Sequence, residues 1–436
     1  MFLYGMQWKF PEDPTREVLV KAAKSGDADL LSEVLQQMNS SERTSALETK
    51  TFKPSPLIVA ATNGNLDCVK VLLKYKADIE SRCNDDDPDG NAPLLRAACS
   101  EGHVNVLRYL VENGADVNAL TYKNRTPLML ACLRGHLNTA TFLMEHGADV
   151  NIHDNDGKTA VHYVVDNVSD SRDFLSCLVK HGADVNALAK NNVTPLMSAI
   201  ARGKVNAATF LVEHGANVDL QSKHGDTALH YAARHPIQGT HQIARILLSH
   251  GTSQLYNNER LTPLLLASSG RRSKLVENFM KTLDLTKEQR IDALELLGAS
   301  LAIDEFRRFE IRKEEITERA FQYIKRGMEE RFQDPSHPVL KQPMEPVEAY
   351  QNREECQILE ELAQIESDVD AIVMESLVIR ERILGSDNTK LTEHIRYNAI
   401  EINKYSRNFD TRVTLLRHAM KIDQHCIESF VRDMVV

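Results

Sequence analysis

Apolar residues in this chain come in paired bursts. Between Asn118 and Val150 the first burst is a short run, Leu128 to Cys132. Gly135-His136 interrupts it, and a second burst follows at Leu137, Ala140, Phe142 and Leu143. That spacing gathers apolar side chains on one face of a helix. Pro127 precedes the first burst, where a helix loses nothing by lacking an N–H, and Thr126 is placed to cap it. The stretch closes on Gly147-Ala148-Asp149-Val150-Asn151. Gly135 and Gly147 stand where turns require left-handed backbone. The pattern predicts a helix, a tight turn, a second helix and a connecting loop.

The same signature returns along the chain: Ser55-Pro56-Leu57, Pro93-Leu94-Leu95, Thr126-Pro127-Leu128, Thr159-Ala160-Val161-His162, Thr194-Pro195-Leu196, Thr227-Ala228-Leu229-His230 and Thr262-Pro263-Leu264. The endings at Gly114, Gly147, Gly182 and Gly215 keep step with it. A period of roughly 33–38 residues of this kind resembles the ankyrin repeat, a helix–turn–helix with a hairpin loop. Residues 15–38 read as a helix pair joined at Ser25-Gly26-Asp27, with a charged face that suits an N-terminal cap. The loop from Ser81 to Asn91 is long and acidic. Short insertions fall at Val168–Arg172 and His235–Thr240, and the unit from Thr262 to Leu283 loses the Gly-Ala-Asp ending.

The pattern changes at Thr286. Thr286 and Gln289 have capping-box spacing, and Arg290–Leu301 carries apolar residues at helical intervals. A long charged helix is expected over Phe306–Phe332, then a Pro-bearing loop over Gln333–Pro346. Further helices are expected near 354–366, 368–384 and 389–404, and from about Thr411 to Met434. The expected fold is therefore all-α. Residues 1–50 form an N-terminal segment with a capping helix pair, 51–283 an ankyrin-repeat solenoid, and 284–436 a tetratricopeptide-like helical domain.

Composition narrows the function classes. The 436 residues exceed one compact core, which suits a solenoid. A net charge of −10 argues against general nucleic-acid binding, which needs clustered Lys and Arg. Seven scattered cysteines, none in a C-x-x-C pair, fit a reducing compartment, and cytosol or nucleus is expected. The apolar run at Met1–Met6 is too short for a signal peptide, and no stretch is long and apolar enough to span a membrane.

Segments beyond the repeats carry a second resemblance. Arg290-Ile-Asp-Ala-Leu-Glu-Leu-Leu-Gly-Ala-Ser300 resembles the segment joining the two domains of the Fem-1 family. So do Glu330-Arg-Phe-Gln-Asp334, Ala349-Tyr350 with Asn352-Arg353 and Glu355-Cys356, and Ile379-Arg-Glu-Arg-Ile-Leu-Gly385. The resemblance implies a substrate receptor of cullin-2–RING ubiquitin ligases. The ankyrin block would hold short degrons at protein C-termini, often ending in arginine, and a C-terminal box would bind elongin B/C and cullin-2. In the family, further helices, two more ankyrin repeats and that box follow the point matching Val436. The family's Phe-Asp-Gly loop is shorter here, with Asp85, Asp86 and Asp87 offering comparable charge. A family tryptophan is replaced by Arg96, a serine by Arg125 and an acidic residue by Arg134. These arginines would repel a terminal arginine side chain and pair with a terminal carboxylate or an acidic tail.

Ankyrin proteins bind through hairpin tips and inner helices. The candidate peptide-binding residues there are Asp89, Arg96, Tyr122, Arg125, Leu133, Arg134, Asn155, Asp156, Tyr163 and Asp166, with Tyr122 and Tyr163 as aromatic anchors. His103, His136, His162 and His230 stand where ankyrin histidines bond neighbouring backbone, so a structural role is expected of them. Cys99 and Cys132 read as packing thiols. Arg380, Glu381 and Arg382 read as a solvated helix face. No P-loop, dinucleotide fingerprint, nucleophile elbow or H-E-x-x-H occurs, so neither catalysis, a cofactor nor a metal is expected. Two binding roles follow. One is a ligase receptor for protein or peptide tails, and the other an ankyrin scaffold or competitor adaptor that recruits no ligase.

Overall fold

The computed structural model describes residues 14–48, 54–81, 103–169, 171–235, 239–304, 313–334, 336–341, 347–385 and 413–424, with single positions between them. These residues are all-α, and no strand occurs among them. The chain divides into two compact units, residues 1–217 and 218–436.

The first unit begins with three helices: α1 (Pro14–Ser25), α2 (Ala28–Gln37) and α3 (Ser40–Leu47). Asp27 caps α2 by accepting from the Leu30 amide. Asn39 and Glu42 form a capping box that starts α3, a helix the hydrophobic pattern did not announce. Helix pairs follow. They are α4 (Pro56–Thr62) with α5 (Leu66–Lys74), α6 (Val104–Glu112), α7 (Pro127–Arg134) with α8 (Leu137–Glu145), α9 (Ala160–Asn167) with α10 (Arg172–Lys180), and α11 (Pro195–Ala201) with α12 (Val205–Glu213). First helices pack on neighbouring first helices, α7 on α9 and α9 on α11, and second helices form the other layer.

Three devices set this register, and each was written in the repeat. The Ser or Thr before Pro caps the first helix: Ser55, Thr126 and Thr194 accept from the amides of Ile58, Met129 and Met197. The following Leu57, Leu128 and Leu196 are buried. Where His replaces the third residue, it ties one repeat to the next. The Thr159 amide donates to His162 Nδ1 at 3.2 Å, so Nε2 carries the hydrogen and donates to the Val193 carbonyl at 3.2 Å. The asparagines that close each repeat form a ladder. Asn118 Oδ1 accepts from the Asp149 amide at 2.9 Å, Asn151 Oδ1 from Asp184 at 2.8 Å, and Asn186 Oδ1 from Asn217 at 2.7 Å. Their Nδ2 groups donate to the carbonyls of Gly147, Gly182 and Gly215. Those glycines take φ of 83–90°, which side-chain-bearing residues rarely adopt.

The second unit starts with the same grammar in α13 (Ala228–Arg234), α14 (Thr240–Ser249), α15 (Pro263–Ser269) and α16 (Ser273–Thr282). His230 repeats the link of His162, from the Thr227 amide to the Leu261 carbonyl. Then come α17 (Lys287–Asp304), α18 (Lys313–Phe332), α19 (Leu359–Gln364), α20 (Val369–Leu384) and α21, residues 413–424. The Thr286–Gln289 capping box is present at the start of α17. Helices α17 and α18 approach so closely that a Cβ on Gly298 would lie 2.6 Å from the Ala320 carbonyl oxygen. A Cβ on Gly327 would lie 2.7 Å from Glu295 Cγ.

Two expectations are corrected here. The helix expected over 354–366 is confined to Leu359–Gln364, because the backbone before it is committed elsewhere. The Cys356 amide donates to Glu375 Oε1 and its carbonyl accepts from Lys341 Nζ. Arg380, Glu381 and Arg382 do not form a solvated face. Arg380 and Glu381 are buried, with Arg380 donating to Ser300 Oγ and Glu381 accepting from the Tyr350 hydroxyl. Arg382 joins a buried ion network with Asp292, Glu295 and Glu355, to which Arg331 and Lys341 also belong. Glu295 is fully buried, and against that burial Arg331, Lys341 and Arg382 hold its carboxyl below the usual range. The helix expected near 389–404 lies mostly outside the described residues.

Candidate peptide-binding surface

The hairpin tips of the first unit are closed from within. Thr121 Oγ1 accepts from the amides of Lys123 and Arg125 at 3.2 and 3.0 Å. One repeat later Asp154 does the same for Asp156 and Lys158, at 2.9 and 2.8 Å. Successive tips are joined: the Asn155 amide donates to the Lys123 carbonyl, and Asn155 Nδ2 to the Tyr122 carbonyl at 3.1 Å. The Asp156 carbonyl accepts from the Lys190 amide. Asn155, a predicted site residue, is thus engaged in holding two tips together. The Tyr122 ring stands out from the same tip, 63% exposed.

Tyr163 corrects the prediction. It is 4% exposed and its hydroxyl donates to Asp154 Oδ2 at 2.6 Å, so it is no accessible anchor. Burial first, then the Asp154 carboxylate, push its phenol above the ordinary tyrosine range. It serves as a floor instead: the Arg125 guanidinium lies over its ring at 5.6 Å from the centroid and Lys158 Nζ at 6.0 Å.

Asp166 stands three residues on from Tyr163, on the same face of α9. Its carboxylate accepts from Lys158 Nζ at 2.6 Å and from Arg202 Nε, in the next repeat, at 2.8 Å. Lys204 Nζ reaches the carbonyls of Asp166 and Val168 at 3.5 and 2.9 Å. Burial, then the neighbouring Arg202, lower the Lys204 pKa below the usual lysine range. Arg125, Tyr163, Lys158, Asp166, Arg202 and Lys204 therefore make one continuous strip across three repeats. Of the predicted residues, Leu133 is half-buried against Ala92, Ala119 and Leu130, while Arg134 and Asp156 are exposed. Asp89 and Arg96 lie outside the described residues. Sequence reasoning missed Lys158, Arg202 and Lys204. Lys158 precedes the Thr159 cap of α9, Asp166 lies in the last turn of that helix, and Arg202 and Lys204 fall one repeat-length beyond Asp166, so only the stacking of repeats brings the four together.

Nothing in this strip resembles a catalytic constellation, and among the described residues no His, Cys, Asp and Glu cluster suits a metal ion. No helix among them is long and apolar enough to cross a membrane. The family model for ankyrin repeats, three copies long, matches residues 19–121, 118–189 and 170–254, more than half of the chain. Beyond the repeats the likeness continues. The chain is 28% identical to protein fem-1 homolog A-like of Mus musculus, over 93% of its own length and 61% of that relative's. It is 31% identical to protein fem-1 homolog CG6966 of Drosophila melanogaster, over 94% of its own length and 55% of that relative's.

The chain is an ankyrin-repeat protein of the Fem-1 family.

This Fem-1-family chain spans 55–61% of the length of those relatives. Its ankyrin repeats make it a protein-binding molecule, because stacked repeats present side chains that their own packing does not consume. The caps, the histidine links and the asparagine ladder account for the repeat-defining polar residues. The basic strip and Tyr122 are surplus to them.

Proposed function

We propose that this chain is the substrate-receiving part of a cullin-2–RING ubiquitin ligase of the Fem-1 kind. In this reading ankyrin repeats extend to residue 283, a tetratricopeptide-like helical domain follows, and the molecule works in the cytosol or nucleus. Short C-terminal tails of substrate proteins dock on the first-helix face, at Tyr122, Arg125 and Arg134 and along α9. The chemistry of ubiquitin transfer belongs to the rest of the complex. The observation that carries the reading is the exposed Tyr122 beside a charged strip from Arg125 to Lys204 that lies outside the caps, histidine links and asparagine ladder and leaves Arg202 half exposed. Aromatic and arginine side chains dominate binding hot spots, and rigid helices present them at little entropic cost. The free thiols Cys68, Cys132, Cys177 and Cys356 suit a reducing compartment.

Two measurements on the full chain test this. A pull-down from cell lysate probed for elongin B/C and cullin-2 is expected to recover both. Selection from a library of random C-terminal peptides is expected to enrich tails whose binding is lost when residues are added after the free carboxylate. Failure to recover elongin and cullin-2 removes the ligase role and leaves an adaptor. Failure of any tail to enrich removes the receptor role.

A further inference from the structure

The strip across α7, α9 and α11 carries more positive charge than its own acid neutralises. Among the described residues Lys158 and Arg202 both pair with Asp166, Lys204 Nζ reaches the carbonyls of Asp166 and Val168, and the side chain of Arg202 is half exposed at 51%. Arg125 extends the strip over Tyr163. The Asp154 carboxylate is already occupied by the Tyr163 hydroxyl and two backbone amides. A charge excess held on rigid helix ends favours a carboxylate-rich partner.

We propose that the occupant of this strip is an acidic C-terminal tail, with Asp or Glu in its last residues. The proposal rests on the tail-receptor reading above and names its substrate class. Asp166 is the strip's internal counter-ion, and its carboxylate competes with the tail's carboxylates for Lys158 and Arg202. The geometry also sets a length. Three first helices packed side by side cover two interaxial steps, roughly 16–20 Å, which an extended peptide crosses in about five or six residues. Tyr122 stands at the Arg125 end, where it packs against an apolar residue of the tail.

The test uses the full chain and the same random C-terminal library. Asp and Glu are expected to be enriched over the input within the last six or so positions, and Arg and Lys depleted. The most enriched peptide, fluorescein-labelled, is then titrated by anisotropy. Arg202→Glu is expected to weaken it by about tenfold or more, the worth of one lost charge-assisted contact. Asp166→Asn is expected to tighten it about threefold or more, because the competing acid is gone. A gain in affinity cannot come from misfolding, so this second variant guards the first. Enrichment of tails with no acid preference, or of arginine-ended tails, overturns the proposal and leaves the receptor reading standing. If no tail enriches, both fall. Tighter binding of a single-stranded oligonucleotide than of any enriched peptide also overturns it.

Discussion

His162 occupies one of the few places where a single proton decides whether two repeats stay joined. The ring is fully buried, accepting from the Thr159 amide and donating to the Val193 carbonyl. Burial lowers its pKa to about 4, from 6.5 in the unfolded chain. The folded form thus resists a proton that the unfolded form takes up. This group's contribution to stability is complete above pH 6.5, falls as pH drops through the window between the two values, and is gone by pH 4 and below. Between pH 7.5 and pH 5 the loss is about 2 kcal/mol. Urea unfolding at the two pH values checks this, and His162→Gln is expected to flatten the dependence while lowering stability at neutral pH. Burial shifts His230 in the same direction. The histidines are therefore acid-sensitive rivets between repeats rather than ligands for a metal or a base for catalysis.

At the scale of elements, the close approach of α17 to α18 depends on Gly298. Its missing Cβ leaves room for the Ala320 carbonyl oxygen and the Ile324 amide, and backbone atoms cannot rotate aside. Gly298→Ala is expected to cost about 1–3 kcal/mol through overpacking, against the roughly 1 kcal/mol that alanine gains within a helix. A thermal melt reads the balance, and an unchanged or raised midpoint would show that the helices are free to part. Much of this level was legible beforehand. Thr126-Pro127-Leu128 specified a helix start because capping and proline chemistry act within four residues. Lys158, Arg202 and Lys204 were not legible as a site, because what unites them is Asp166, in the repeat of Lys158 and one repeat before the other two, and no local pattern encodes a contact across 36 residues. Tyr163 misled for a related reason. Its place in the repeat points to the binding face, yet the Asp154 carboxylate beneath it draws the hydroxyl inward.

At the scale of the molecule, the second unit is held partly by charge. Asp292, Glu295 and Glu355 are matched by Arg331, Lys341 and Arg382 in a place where water is scarce. Such a set is costly to open from one side only. Arg382→Met is expected to cost about 3–5 kcal/mol, because it leaves the three acids Asp292, Glu295 and Glu355 with Arg331 and Lys341 as the remaining cations of the set. Urea titration of the full chain checks it, and adding Glu355→Gln should recover part of the loss through their coupling. The run Arg380-Glu381-Arg382 shows why this was hidden. Three consecutive charges look solvated in a sequence, and only the fold reveals that partners from α17 and the loop before α19 surround them.

The asparagine ladder carries one more implication. Asn118, Asn151 and Asn186 each grip only the loop of the next repeat. Each rung therefore secures one junction, as a stitch does in a seam, and shares that junction with the packed helices. When one rung parts, its neighbours keep their own bonds, so a tail tugging on the strip strains the repeats beneath it and leaves distant ones in register.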